Sequence, residues 1–280
     1  MLAAVAQMEP KLGEIGRNLD AIVARLEEAS EQGVTLVVLP ECAVSGYVFD
    51  SPAEALACAE ETPGPALDVL VHACARLSIY AVCGVLARNG DELRNRSLFV
   101  GPTGLIATYD KAHLPFLGVD RFVTPGTEPL VPVDTPIGRI GLEICYDLRF
   151  PEATRTLALR GADLIAHPTN WPVAARANAE FITRARAHEN LVYLLTANRV
   201  GTERGAEFCG WSQIVAPSGD RLVEADAVSE ILLVAEIDLE QARNKSIIPA
   251  SGEYEMHLFD HRRPDLYGAL IEDTTRVNQL

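Results

Sequence analysis

"GLEICYDLRFPE", residues 141–152, runs from an apolar segment into a cysteine, through a charged turn, and breaks at a proline. The apolar run reads as a buried strand, and Pro151 suits the first turn of a helix. The stretch is therefore strand, turn, helix, with a thiol at the strand's end. Its surroundings repeat the pattern. Downstream come "DLIAHP" (163–168) as a strand, a helix over about 173–190, and the strand "VYLLTAN" (192–198). Upstream, residues 2–8 (LAAVAQM) read as a buried strand, and Leu19, Ile22, Val23 and Leu26 then recur at helical spacing until Gly33. "VTLVVLP" (34–40) is a strand, "PALDVLVHACARL" (65–77) a helix and "IYAVCGVL" (79–86) a strand. "NRSLFVGPTGLIATYD" (95–110) has two β-rich runs around Gly101–Gly104, a hairpin signature. A second hairpin is expected around "APSGD" (216–220), with "EILLVAEID" (230–238) as its partner region. The alternation predicts one α/β domain over residues 1–280, its mixed sheets covered by helices.

Composition narrows the function. The 280 residues are 48% hydrophobic, ample for a sizeable core. Lys and Arg total 24 against 39 for Asp and Glu, a net charge of −15, which repels nucleic-acid phosphates and anionic membranes. "MLAAVAQMEP" has no basic leader and only a short apolar run, so neither a signal peptide nor a membrane span is expected, and a cytoplasmic location is. The six cysteines (42, 58, 74, 83, 145 and 209) lack paired C-x-x-C spacing, so they read as reduced thiols rather than a zinc site or a disulfide scaffold. No metal or other cofactor is expected.

In α/β folds, the loops after strand C-termini carry the site. Here "VTLVVLPE" ends in Glu41, "LIATYDK" in Lys111 and "GRIGLEIC" in Cys145. Taken singly, these are an end-of-strand acid, a surface lysine and a core thiol. Together they are a base, a cation and a nucleophile. A thiol attacks an acyl carbon as thiolate, which a nearby base can generate, and an ammonium can stabilise the oxyanion and help protonate a leaving nitrogen.

"LPE" (39–41), "YDKAHLP" (109–115) and "GLEICYDLRFPE" (141–152), in this order and spacing, resemble the three signature segments of the nitrilase superfamily, the carbon-nitrogen hydrolases. The likeness continues through "HPTNWP" and "RARAHENLVYLLTANRVG". The resemblance implies a four-layer α-β-β-α sandwich, with Glu41 as general base, Lys111 as cationic partner and Cys145 as covalent nucleophile. It also implies the backbone N–H of Tyr146 as an oxyanion donor, and a cysteine-dependent hydrolase of small amides that proceeds through a thioester. N-carbamoyl compounds rank second as substrates and nitriles third. On this reading the turn exposes Cys145, and the helix from Pro151 aims its N-terminal dipole at the thiolate.

Two residues depart from the family pattern. Many members carry a further glutamate between the lysine and cysteine segments, where this chain offers Asp120, either placing substrate or pairing with Arg121. Glu143 stands two before the cysteine, where members usually have an apolar or small residue. Strand alternation would give it the face of Cys145, so it either joins the active-site network or forms a buried salt bridge. Tyr47, Asn170 and Trp171 fall in loops expected beside the site, as an aromatic wall and an amide for a small acyl group. Asp147, Arg149 and Glu152 read as an ion-paired turn, His113 as structural, and "GTERGAEFCG" (201–210) as a flexible loop. The segment from about 250 to 280, rich in aromatic and charged residues, resembles the family's C-terminal extension across a subunit interface, so a homodimer or larger homo-oligomer is expected. A different class, a non-catalytic binding protein on the same fold, calls for a degraded triad, and this triad is intact.

Overall fold

Apolar runs become strands here because the chain alternates them with amphipathic helices that cover both sheets. The computed structural model describes residues 1–272. In chain order the first half holds β1 (Leu2–Gln7), α1 (Ile15–Glu31), β2 (Leu36–Val38), α2 (Pro52–Cys58), β3 (Glu60–Glu61), α3 (Pro65–Leu77), β4 (Tyr80–Asn89), β5 (Glu92–Gly101) and β6 (Gly104–Asp110). Then follow β7 (Val133–Thr135), β8 (Gly138–Leu142), α4 (Pro151–Leu159), β9 (Leu164–Pro168), α5 (Thr183–Asn190), β10 (Tyr193–Ala197), β11 (Thr202–Glu203), β12 (Ala206–Glu207), β13 (Gln213–Val215), β14 (Arg221–Glu224), β15 (Ile231–Glu236) and α6 (Leu239–Arg243).

One sheet has the order β15-β1-β2-β4-β5-β6, with β3 beside β4, and the other β14-β13-β10-β9-β8-β7. β1, β2 and β4 run parallel, as do β8, β9 and β10. Side-chain alternation sorts each strand between two layers. Ala3 and Val5 of β1 join Leu36, Val38, Val82 and Phe99 against Ile140, Leu142, Leu164, Tyr193 and Leu195 of the facing sheet. Ala4 and Ala6 point the other way, under Leu19, Ile22 and Leu26 of α1 and Leu67, Leu70 and Ala73 of α3. On the far side Leu157 of α4 packs over Gly141, and α5 lies on β10. The layers are helix, sheet, sheet, helix.

Three local expectations change. The turn at 216–220 joins β13 to β14, while residues 231–236 pair antiparallel with β1 in the other sheet, Leu2 opposite Glu236 and Gln7 opposite Ile231. Gly219, at a φ of +84°, closes the hairpin onto the nearer strand, leaving the later apolar run to fill the open edge beside β1. The helix expected over 173–190 is a 3-10 turn (Val173–Ala175), a π turn (Asn178–Ile182) and then α5. Gln213 and Arg221 donate to the carbonyls of Ala179 and Glu180, satisfying groups that a continuous α-helix would have bonded internally. Residues 201–210 are a tethered segment carrying the β11–β12 hairpin, not a free loop: Glu203 accepts from Arg199 (2.7 Å) and from the N–H groups of Tyr47 (2.8 Å) and Val48 (2.6 Å).

The described residues fall into two compact units, Met1–Arg243 and a smaller one beginning at Asn244. The second contains an antiparallel pair, β16 (Ser246–Ala250) and β17 (Tyr254–His257). Of the extension expected from about 250 to 280, residues 273–280 lie outside the described residues. Among the described residues no helix is long and apolar enough to cross a membrane.

Candidate active site

Glu41 stands three residues beyond β2, and glycine decides where. The N–H of Gly84 on β4 donates to the Pro40 carbonyl (3.1 Å) and its carbonyl accepts from Ala43 (2.8 Å). A Cβ on residue 84 would lie 2.5 Å from Glu41 Cα and 2.6 Å from Cys42 N. Glycine lets the two backbones touch.

Lys111 follows β6, its N–H bonded to the Asn95 carbonyl of β5 (2.9 Å). On β5, Arg94 and Arg96 face outward, so Asn95 between them faces inward and is buried. Asn95 Nδ2 donates to Glu41 Oε1 (2.7 Å) and to Asp120 Oδ1 (2.8 Å). Lys111 Nζ, also buried, lies 2.7 Å from the same Glu41 oxygen and bonds Asp120 Oδ2 as well. The Tyr47 hydroxyl donates to Asp120 Oδ2 (2.8 Å). Both oxygens of Asp120 are thus engaged by Asn95, Lys111 and Tyr47, and its hydrogen bonds run to these rather than to Arg121, which bonds the carbonyls of Gly118 and Phe49. Glu41 Oε2 has no hydrogen-bond partner among the described residues.

Cys145 comes from the other sheet, three residues past β8. It opens a 3-10 turn, Cys145–Arg149, at a φ of +46°, a left-handed conformation costly for a residue with a Cβ. One expectation is corrected here: the thiol residue is only 5% exposed. It heads its own 3-10 turn, six residues before the helix at Pro151. Asp147 fixes the turn: it accepts from the N–H of Ile144 (2.9 Å), the N–H of His113 (3.0 Å) and the Tyr109 hydroxyl (2.8 Å), and lies 2.7 Å from His113 Nδ1. The carboxylate therefore stitches the segment around Lys111, from one sheet, to the thiol's turn, from the other. His113 stacks on Phe150 at 3.8 Å, and Tyr146 meets that ring edge-on at 5.2 Å.

After β9, Asn170 donates from Nδ2 to the Glu41 backbone carbonyl (2.9 Å), and among the described residues its Oδ1 and the Thr169 hydroxyl have no partners of good geometry. Trp171 is buried, its backbone N–H donating to Asn198 Oδ1 (2.9 Å) and its ring 5.3 Å from that of His167. Glu143 stands apart from this group. It accepts from Thr154 of α4 (3.1 Å) and makes no hydrogen bond to Glu41, Lys111 or Cys145 among the described residues. Glu143 keeps the strand's alternation, on the α4 side with Gly141 while Ile140 and Leu142 face the other sheet, and the left-handed backbone at Cys145 breaks the pattern before it reaches the thiol.

The buried charges interact strongly. Burial raises the Glu41 carboxyl above its ordinary pKa; Lys111 opposes this and Asp120 adds to it. Burial is also the largest influence on Lys111, pulling it down, but Asp120 and Glu41 together outweigh it and hold the ammonium well above its usual range. The Cys145 thiol is pushed up by burial and then by Glu41, against Lys111, Thr169 and the N–H of Asn170. The thiol is held protonated and the lysine as a cation, and the Glu41 carboxyl has a raised proton affinity and one oxygen without a hydrogen-bond partner among the described residues. That set can generate a thiolate and receive its proton. Sequence reasoning missed Asn95, whose inward phase between two arginines was the available signal, and the bridging role of Asp147. Among the described residues no group of three or more His, Cys, Asp or Glu is placed to hold a metal ion.

Comparison with known proteins agrees with this architecture. A protein named nitrilase from Pyrococcus abyssi (strain GE5 / Orsay) is 40% identical over 267 residues, covering 94% of this chain and 98% of its own. An omega-amidase from Bos taurus is 32% identical over 262 residues, 89% of this chain and 91% of its own. A solved structure of an amidase variant from Nesterenkonia sp. AN1, showing the result of Michael addition of acrylamide at the active-site cysteine, matches with a TM-score of 0.76 and 26% identity, over 88% of this chain and 96% of that one. Residues 2–245 match the family model for carbon-nitrogen hydrolases, and the chain belongs to that family of the nitrilase superfamily.

Proposed function

We propose that the protein hydrolyses small linear amides to carboxylate and ammonia through a thioester on Cys145. Glu41 takes the thiol proton, and the sulfur attacks the amide carbonyl. Lys111 and the N–H of Tyr146 receive the oxyanion; as second residue of a 3-10 turn, Tyr146 has an N–H outside the turn's own bonding pattern. The tetrahedral intermediate collapses as Glu41 returns the proton to the leaving nitrogen. Water, deprotonated by Glu41, then cleaves the thioester and releases the acid and Cys145 thiol.

The observation that carries this reading is the division of Glu41: one oxygen is tied to Lys111 and Asn95, the other has no hydrogen-bond partner among the described residues, and the carboxyl acts electrostatically on the buried Cys145 thiol. The omega-amidase relative and the acrylamide-modified amidase favour amides as substrates. Nitriles are a second reading, favoured by the name of the 40% identical relative. The test is ammonia release by wild type and Cys145→Ala over short aliphatic amides, ω-amides of dicarboxylic acids, N-carbamoyl amino acids and aliphatic nitriles. Amide turnover by the wild type and a fall of at least about 10³-fold in the variant are expected. Turnover of nitriles or carbamoyl compounds alone would replace the substrate class, and an equally active variant would remove Cys145 from the mechanism.

A further inference from the structure

His167 sits inside the apolar run of β9, fully buried, and the mechanism above gives it no task. Both ring nitrogens are engaged: Nε2 lies 3.2 Å from the carbonyl oxygen of Cys145 and Nδ1 3.3 Å from Thr196 Oγ1. A carbonyl oxygen only accepts, so Nε2 carries the proton, and Nδ1 of the neutral ring accepts from the Thr196 hydroxyl. Burial drives the ring's pKa down to about 4, which keeps it neutral at pH 7. Thr196 and His167 are register partners on adjacent parallel strands, and the Trp171 ring covers the imidazole. The donor is fixed in place.

What it holds is the peptide joining Cys145 to Tyr146. That peptide is trans, so its carbonyl and its N–H leave a rigid plane in opposite directions. A hydrogen bond on the Cys145 carbonyl therefore sets the direction of the Tyr146 N–H. The left-handed backbone at Cys145 makes such a constraint valuable, because that conformation has little preference of its own to hold it. Resting on the proposed reading in which that N–H receives the oxyanion, we infer that His167 is a positioning residue: it holds the Cys145–Tyr146 peptide so that the Tyr146 N–H faces the substrate oxygen.

The test compares His167→Gln, His167→Asn and His167→Leu in the full chain, using the panel amide that the wild type turns over fastest. Gln carries its amide nitrogen at the reach of Nε2; Asn is one methylene short and Leu has no donor. Expected are kcat within about tenfold of wild type for Gln and a loss on the order of 10²-fold for Asn and Leu, with KM within about threefold. A second readout is alkylation of Cys145 by iodoacetamide, followed on the Cys145 peptide by mass spectrometry. There the thiolate displaces iodide at a saturated carbon and no carbonyl oxyanion forms, so folded variants should react within about threefold of wild type. Unchanged kcat in Asn and Leu, Gln no better than Asn, or alkylation falling in step with kcat would each overturn the inference. If the Leu variant does not fold, the Gln and Asn pair, matched by circular dichroism, decides. Wild type and Cys145→Ala run alongside: ammonia from both or from neither defeats the parent reading, whereas failure of the His167 contrast alone leaves it standing.

Discussion

Oε1 of Glu41 accepts from Lys111 and Asn95, whereas Oε2 has no hydrogen-bond partner among the described residues. A buried carboxylate is costly unless paired, and here the pairing is confined to one oxygen. Glu143 is the contrasting case. It is fully buried, its carboxyl hydrogen-bonded among the described residues only to Thr154, and its pKa is raised to about 8 by burial and then by Asp147, against Thr154 and Arg186. Its folded pKa lies above its ordinary 4.5, so between about pH 4.5 and 8 the unfolded chain releases the proton while the folded one retains it. Stability should therefore fall as pH rises through that window. Glu143→Gln removes the titration, and wild type should lose on the order of a few kcal/mol relative to the variant between pH 5 and 8. Urea midpoints of both proteins across that range measure it, and parallel curves would refute the assignment. Because no hydrogen bond links Glu143 to the Glu41, Lys111 and Asn95 network, kcat of the variant should stay within about threefold.

At the scale of elements, the site depends on how closely β4 approaches the Glu41 segment. Gly84→Ala would place a Cβ 2.5 Å from Glu41 Cα and 2.6 Å from Pro40 O, both backbone atoms that cannot swing aside. A loss of about 1–3 kcal/mol in stability and on the order of 10²-fold in kcat is expected, read from thermal unfolding and initial rates. Wild-type kcat in this variant would mean that the Glu41 segment is not set by that contact. Much at this scale was legible beforehand. "PALDVLVHACARL" became α3 over the same residues, because Pro65 opens it and its apolar spacing buries one face. The strands ending before Glu41, Lys111 and Cys145 were read from their apolar runs. What was not legible was partnership: nothing local says that residues 231–236 join β1, or that Asp147 bonds Tyr109 and His113, since both depend on contacts between distant segments.

For the whole molecule, the decisive feature is that the two sheets each supply part of the site. Glu41, Asn95 and Lys111 belong to one sheet, and Cys145, His167 and Asn170 to the other. The buried layer between them, from Ala3, Val5 and Phe99 to Ile140, Leu164 and Leu195, brings these groups together. Asp147 and Asn170 then cross the seam with hydrogen bonds. Packing between the sheets is thus the step that brings three separate strand ends together into the proposed reaction centre. Asp120 shows the limit of reading this from sequence: its place near Lys111 was foreseeable, but saturation of both oxygens by Asn95, Lys111 and Tyr47 required the folded chain. The central claim is that this centre forms a thioester on Cys145. Intact-mass spectrometry of enzyme quenched in acid during turnover of an amide tests it most directly. The account predicts an added mass equal to the amide less ammonia, mapped to the Cys145 peptide and absent from Cys145→Ala; turnover with no adduct under rapid quench, or an adduct mapped to another residue, would contradict it.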